Sequence, residues 1–232
     1  ILLRDAEVTA ETIQQKLTET ARRVEPGGTL WFVFIGHGAP SRDGKDGLLV
    51  AVDAQKSNLF TRSVRRSEVL KITAASRAAQ SMIILDTCFS GRSTTGAYLV
   101  PGLQPLVAEE IPASTDSRTI LFTAARSDEF AGPLPGADRP AFSYLVLGGL
   151  RGWADADGDG SVTVKELGSF ARGLFTTLVS DRKQTPTFEG PPDLTVGRGW
   201  EKRPPLEEIV LPPDMTGRTP VAPVLKCPVG MS

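Results

Sequence analysis

A single histidine, His37, and two cysteines, Cys88 and Cys227, occur among the 232 residues. A thiol activated by an imidazole therefore has one candidate base. The attacking species in such chemistry is the thiolate, which forms when an imidazole takes the thiol proton. Cys88 directly follows an apolar run and Asp86-Thr87, and it leads into Ser90-Gly91, small residues that let a substrate carbonyl approach. His37 sits between Gly36 and Gly38, which do not crowd its ring and leave the flanking amides reachable. Taken alone, a lone histidine after a strand is most often a hydrogen-bonded loop residue, and a lone cysteine a small buried hydrophobe. Two reactive groups at two strand ends, 51 positions apart, change that weighing.

A second cluster is made of oxygens. Asp155, Asp157, Asp159, Ser161 and Glu166 occupy positions 1, 3, 5, 7 and 12 of a twelve-residue pattern with Gly160 at position 6 and Val162 at position 8. That is the EF-hand spacing, and its oxygen set suits Ca²⁺ in a regulatory or structural role. The competing explanation is a solvated Asp/Gly turn between two helices.

Several elements must position these groups. Ile13, Leu17, Ala21 and Val24 recur at helical spacing behind Thr9, a plausible N-cap. Residues 30–35 read as a buried strand stopping at Gly36-His37-Gly38, and residues 48–52 as a second strand. A helix over 67–79 is capped by Ser67. A strand over 81–85 ends at Asp86-Thr87-Cys88, and another covers 120–125. Helices over 142–153 and 164–179 flank the Asp-rich loop. Residues 90–118 show no period and read as a long loop; residues 201–232, rich in proline, read as a tail. Strands alternating with helices predict an α/β fold, a mostly parallel sheet with helices on both faces. Chemistry in such sheets gathers at the carboxyl edge of the strands, where His37 and Cys88 both fall.

Phe34-Ile35-Gly36-His37-Gly38 and Asp86-Thr87-Cys88-Phe89-Ser90-Gly91 resemble the His-Gly and Asp-x-Cys-x-Ser-Gly motifs of the caspase, metacaspase and bacterial caspase-homologue peptidases. The roughly 50-residue interval from His to Cys agrees. The resemblance continues through residues 123–129 and 141–144 and covers most of residues 1–200, leaving 201–232 as a separate tail. It implies a caspase-like α/β/α sandwich whose first strand is absent from this chain, in keeping with a first residue, Ile1, that is not Met. It also implies Cys88 as nucleophile, His37 as general acid/base, and the amides of Gly38 and Cys88 as an oxyanion hole. No third catalytic side chain is expected. Two departures stand out: Ile35 occupies a position where metacaspases usually carry Ser, and Phe89 one where they usually carry His.

The same resemblance assigns Asp86 to the floor of an acidic S1 pocket and so implies cleavage after Arg or Lys. A carboxylate two residues before the nucleophile also has a plainer reading, as the cap of a turn. Asp128 is a second candidate acid for the pocket. Arg92, Arg118 and Arg126 offer basic sites for self-cleavage. The expected partner is a protein or peptide substrate with a basic P1 residue, the protein acting as a monomer or as part of a larger chain. The rival reading is a catalytically silent, Ca²⁺-binding interaction module.

Bulk properties exclude other classes. With 26 Lys plus Arg against 27 Asp plus Glu, no basic field exists to hold a nucleic acid. The longest apolar runs are far too short to span a bilayer. One histidine and two distant cysteines do not make a zinc site, and no Gly-x-Ser-x-Gly elbow is present. Two cysteines do not suggest a disulfide scaffold, which favours a reducing, cytoplasmic setting.

Overall fold

The computed structural model describes residues 1–91, 117–126, 128–135, 139–179 and 181–199. The expected loop from 92 onward and the tail over 201–232, with Arg92 and Cys227, lie outside the described residues. In chain order the elements are α1 (Ala10–Arg23), β1 (Thr29–Ile35), β2 (Gly38–Pro40), β3 (Gly47–Val50), β4 (Ser63–Arg65), α2 (Arg66–Ala74), β5 (Gln80–Asp86), β6 (Thr119–Thr123), α3 (Ala141–Gly148), β7 (Ser161–Thr163), α4 (Val164–Leu178), β8 (Thr187–Glu189) and β9 (Thr195–Arg198).

The central sheet has the order β1-β5-β6-β8. β1, β5 and β6 run parallel, and β8 is antiparallel to β6. Successive side chains of a strand point to opposite faces, and this alternation splits the core in two. Met82 and Ile84 of β5 and Ile120 and Phe122 of β6 face α3 and α4, joining Phe142, Leu145 and Leu167. Ile83, Leu85 and Leu121 face the other way, against Ile13 and Leu17 of α1 and Val69 of α2. Helices therefore cover both faces of a mostly parallel sheet, as the alternation of elements predicts. A near-continuous apolar strand such as β5 is what burial on both faces requires.

Thr9 caps α1 as expected, its Oγ1 accepting the Thr12 N–H at 3.1 Å. Four expectations need correction. The run ending at Ile35 is not buried on both faces. β1 ends the sheet among the described residues, and Trp31, Val33 and Ile35 are 45–48% exposed on the α3/α4 face. The strand expected over 48–52 lies outside the central sheet, in a separate antiparallel sheet of order β2-β3-β4. Ser67 does not cap α2. Arg65 is the N-cap residue, and Asp46 does the capping from a distant loop. Its carboxylate accepts the Ser67 N–H at 3.3 Å and the Ser67 hydroxyl at 2.5 Å. Finally, the helix expected over 142–153 ends as an α-helix at Gly148. It continues as a π-helical turn over Gly149–Trp153, where Gly152 adopts φ 104°. The Trp153 ring lies where a side chain on Gly148 would be, so the glycine admits the tighter path.

Candidate active site

β1 and β5 end in register, Ile35 opposite Asp86, and the Gly36 N–H donates to the Asp86 carbonyl at 3.1 Å. Beyond that last rung the two chains stay in contact. A Cβ on Gly38 would overlap the Cys88 carbonyl oxygen and the Thr87 hydroxyl, so only glycine allows this approach. The segments carrying His37 and Cys88 thus leave neighbouring strand tips packed against one another, at the carboxyl edge where the sequence puts them. On the other side, the His37 carbonyl accepts the Val50 N–H at 2.9 Å, which fixes the histidine segment to β3.

Cys88 is a free thiol, 5% exposed. His37 is half-buried, and that burial pushes its imidazole below the ordinary histidine range. The ring is therefore neutral near pH 7 and able to accept a proton. Phe89 anchors the Cys88 loop: its ring packs in the core beside α1 and α2 and lies over Gly47, where a Cβ would come within 2.6 Å of it. The Arg66 guanidinium stacks on the same ring at 5.6 Å. An aromatic residue after Cys88 thus tethers the loop to the core, a role its sequence position did not reveal. The hydroxyls of Thr87 and Ser90, flanking this pair, are buried without a hydrogen-bond partner among the described residues. Leaving such a group unpaired costs about 1–3 kcal/mol.

Asp86 is 7% exposed, and it points to the face covered by α3. Its Oδ2 accepts two hydrogen bonds from Ser143, the backbone N–H at 2.9 Å and the hydroxyl at 2.5 Å. Ser143 is the third residue of α3, so the carboxylate caps this helix much as Asp46 caps α2. One oxygen is thus engaged at the start of a helix 57 positions away in sequence, not in a turn. Oδ1 takes no hydrogen bond from the described residues. Burial pushes the Asp86 carboxyl up, a rise partly offset by the two Ser143 bonds and by the field of Arg182. That cation is itself held by the Pro133 carbonyl at 2.6 Å and by Asp181. Ile35, opposite Asp86 on the same face, gives this region an apolar, half-exposed wall.

Asp128 is exposed on the loop after β6. Its neighbour Glu129 is the buried one, and it is spent on structure. Its carboxylate accepts the Thr185 N–H at 2.6 Å and the Thr185 hydroxyl at 2.9 Å, and it pairs with Lys183 at 3.3 Å. Of the self-cleavage candidates, Arg126 is exposed, whereas Arg118 donates to the Ala78 and Ala74 carbonyls.

In the acidic loop, one ligand atom from each of Asp155, Asp157 and Asp159 lies within 4.8 Å of the others, a cluster that could hold a metal ion. The backbone wraps these carboxylates: Asp155 accepts from Gly158 and Gly160, Asp157 from Asp159, and Asp159 from Ser161. Glu166 completes a capping box with Thr163 and also accepts the Ala156 N–H at 3.0 Å, so its carboxylate spans the loop from end to start. These bonds, the Thr163 amide first, hold the Glu166 carboxyl below its ordinary range. Ser161 opens β7, which pairs with β9 and so rests on residues 195–199 instead of a second such loop.

No family model matches the chain, and no curated protein matches it either. Among the described residues, no helix is long and apolar enough to cross a membrane.

Proposed function

We propose that the protein is a cysteine endopeptidase of caspase-like type that hydrolyses peptide bonds after Arg or Lys. The observation that carries this reading is the packing of Gly38 on the Cys88 carbonyl. It brings the segment bearing the only histidine against the one bearing a buried free thiol.

In this reading His37, neutral at rest, takes the proton of the Cys88 thiol as the sulfur attacks the scissile carbonyl. The resulting oxyanion is held by the backbone amides of Gly38 and Cys88, each donor contributing about 2.7–4 kcal/mol. The imidazolium then protonates the leaving amine, and water, deprotonated by the same ring, hydrolyses the acyl-enzyme. Phe89 keeps the sulfur in place through the core. Asp86 supplies a buried negative charge for a basic P1 side chain, with Oδ1 as the oxygen left to receive it.

The test is a panel of fluorogenic peptides differing only at P1, assayed with the wild-type chain and with Cys88→Ala. Turnover after Arg and Lys but not Asp, lost in the variant, is the expected result. Faster turnover after Asp would reverse the specificity assignment, and equal turnover by the variant would remove the peptidase.

The acidic loop is proposed as a Ca²⁺ site that stiffens the wall of the pocket. α3 begins at the Asp86 contact and runs through the π turn directly into Asp155, so one short helical element joins the two. With a dissociation constant of about 1 mM, as suits an isolated loop, 10 mM Ca²⁺ stabilises the fold by about 1.4 kcal/mol. The melting temperature is expected to rise by about 3–5 °C, and the rise to vanish with chelator or in Asp157→Asn. A melting temperature indifferent to Ca²⁺ would leave the loop as a turn only.

A further inference from the structure

The carboxylate of Asp86 is engaged unevenly. Both Ser143 bonds fall on Oδ2, while Oδ1 takes none from the described residues, although the residue is more than nine-tenths buried. A carboxylate oxygen offers two lone-pair directions, so the Ser143 N–H and hydroxyl together occupy those of Oδ2. The two basic side chains differ in what they ask of such a group. A guanidinium is strongest as a fork, with two parallel N–H bonds to both carboxylate oxygens, whereas an ammonium is a point charge content with one.

We infer that the Ser143 hydroxyl is a specificity-setting residue, restricting Asp86 to one available oxygen and so denying a P1 arginine its second hydrogen bond. This rests on the proposed peptidase reading and deepens it. Ser143 acts through Asp86 and is a positioning residue. Its hydroxyl and backbone N–H make separable contributions, because only the first is removed by substitution. The backbone bond persists, so the carboxylate keeps its place at the start of α3 while Oδ2 regains one open direction. With the hydroxyl in place, the pocket takes lysine nearly as well as arginine. Without it, arginine closes its fork and gains on lysine.

The experiment compares kcat/KM for matched Arg and Lys peptides in the wild-type chain, in Ser143→Ala and in Ser143→Thr, which keeps the hydroxyl. The Arg:Lys ratio is expected to rise about tenfold in Ser143→Ala, the worth of one charge-assisted hydrogen bond, and to stay at the wild-type value in Ser143→Thr. Alkylation of Cys88 by iodoacetamide, which carries no P1 group, is expected to proceed equally in all three, separating selectivity from damage to the nucleophile. A ratio unchanged within twofold in Ser143→Ala, with both peptides still cleaved, overturns the inference and leaves the peptidase standing. Absence of turnover of either peptide by the wild-type chain overturns the peptidase reading, and the inference falls with it.

Discussion

Replacing Asp86 by asparagine is expected to lower kcat/KM for peptides with a basic P1 residue by about 10²-fold or more, while the melting temperature holds or rises. The two effects have one cause. Removing one partner of a desolvated charge pair costs about 2–5 kcal/mol, which falls on substrate binding and on the transition state that follows it. In the free protein the same carboxylate is a burden. Burial raises its folded pKa above its unfolded one, so the fold favours the protonated group. The contribution of Asp86 to stability is therefore complete at low pH and lost as pH rises through the folded pKa. Asparagine keeps an oxygen for the two Ser143 donors and never ionises, which lifts that penalty at pH 7. The pH profile follows the same sign. With Asp86 binding the P1 cation as proposed, turnover of Arg and Lys peptides requires the carboxylate ion, so kcat/KM is expected to fall on acidification through the raised pKa of Asp86. Measuring kcat/KM and thermal unfolding on the same variant checks both halves. A variant that unfolds more readily and cleaves normally would assign Asp86 to the α3 cap alone.

The second large effect belongs to Gly38. Alanine there places a methyl group onto the Cys88 carbonyl and the Thr87 hydroxyl, and the carbonyl cannot retreat. It is a backbone group, and the Cys88 loop is held from behind by Phe89 in the core. Overpacking of this kind costs about 1–3 kcal/mol in stability. The loss of activity is expected to be larger, at least about 10²-fold, because a displacement near 1 Å between reacting groups is enough for that. Gly47→Ala, which presses on the same loop through the Phe89 ring, serves as the comparison. Steady-state kinetics with denaturant unfolding on the Gly38 variant separates the two losses. Activity that fell only in proportion to the folded fraction would make the close approach a packing detail.

Much of this was readable in the chain because the signals were local. The strands now seen as β5 and β6 announce themselves as apolar runs, and α1 through its spacing and through Thr9 at its start. The candidate dyad was legible because the chain holds one histidine. What escaped depended on contacts distant in sequence. β2 and β4 are three residues each, one containing proline, too short for alternation to register. An apolar run cannot say whether both its faces are covered, and so Trp31, Val33 and Ile35 of β1 read as core. The caps of α2 and α3 come from carboxylates 21 and 57 positions away. No helix-start rule looks that far, and Ser67 took the credit due to Asp46. Ser143 was visible only as part of a motif, since its function lies in its partner. The π turn had a local sign, the glycines at 148, 149 and 152, but its cause is the seat of Trp153 against Gly148.

The proposed catalysis depends on activation of the Cys88 sulfur by the imidazole of His37. The direct measurement is covalent labelling by a peptidyl acyloxymethyl ketone carrying arginine at P1, located by mass spectrometry in the wild-type chain and in His37→Ala. One equivalent of label is expected on Cys88, forming quickly in the wild-type protein and at least about 10³-fold more slowly in the variant. A folded wild-type chain that leaves Cys88 unlabelled, or one in which removing His37 does not slow the reaction, would contradict it.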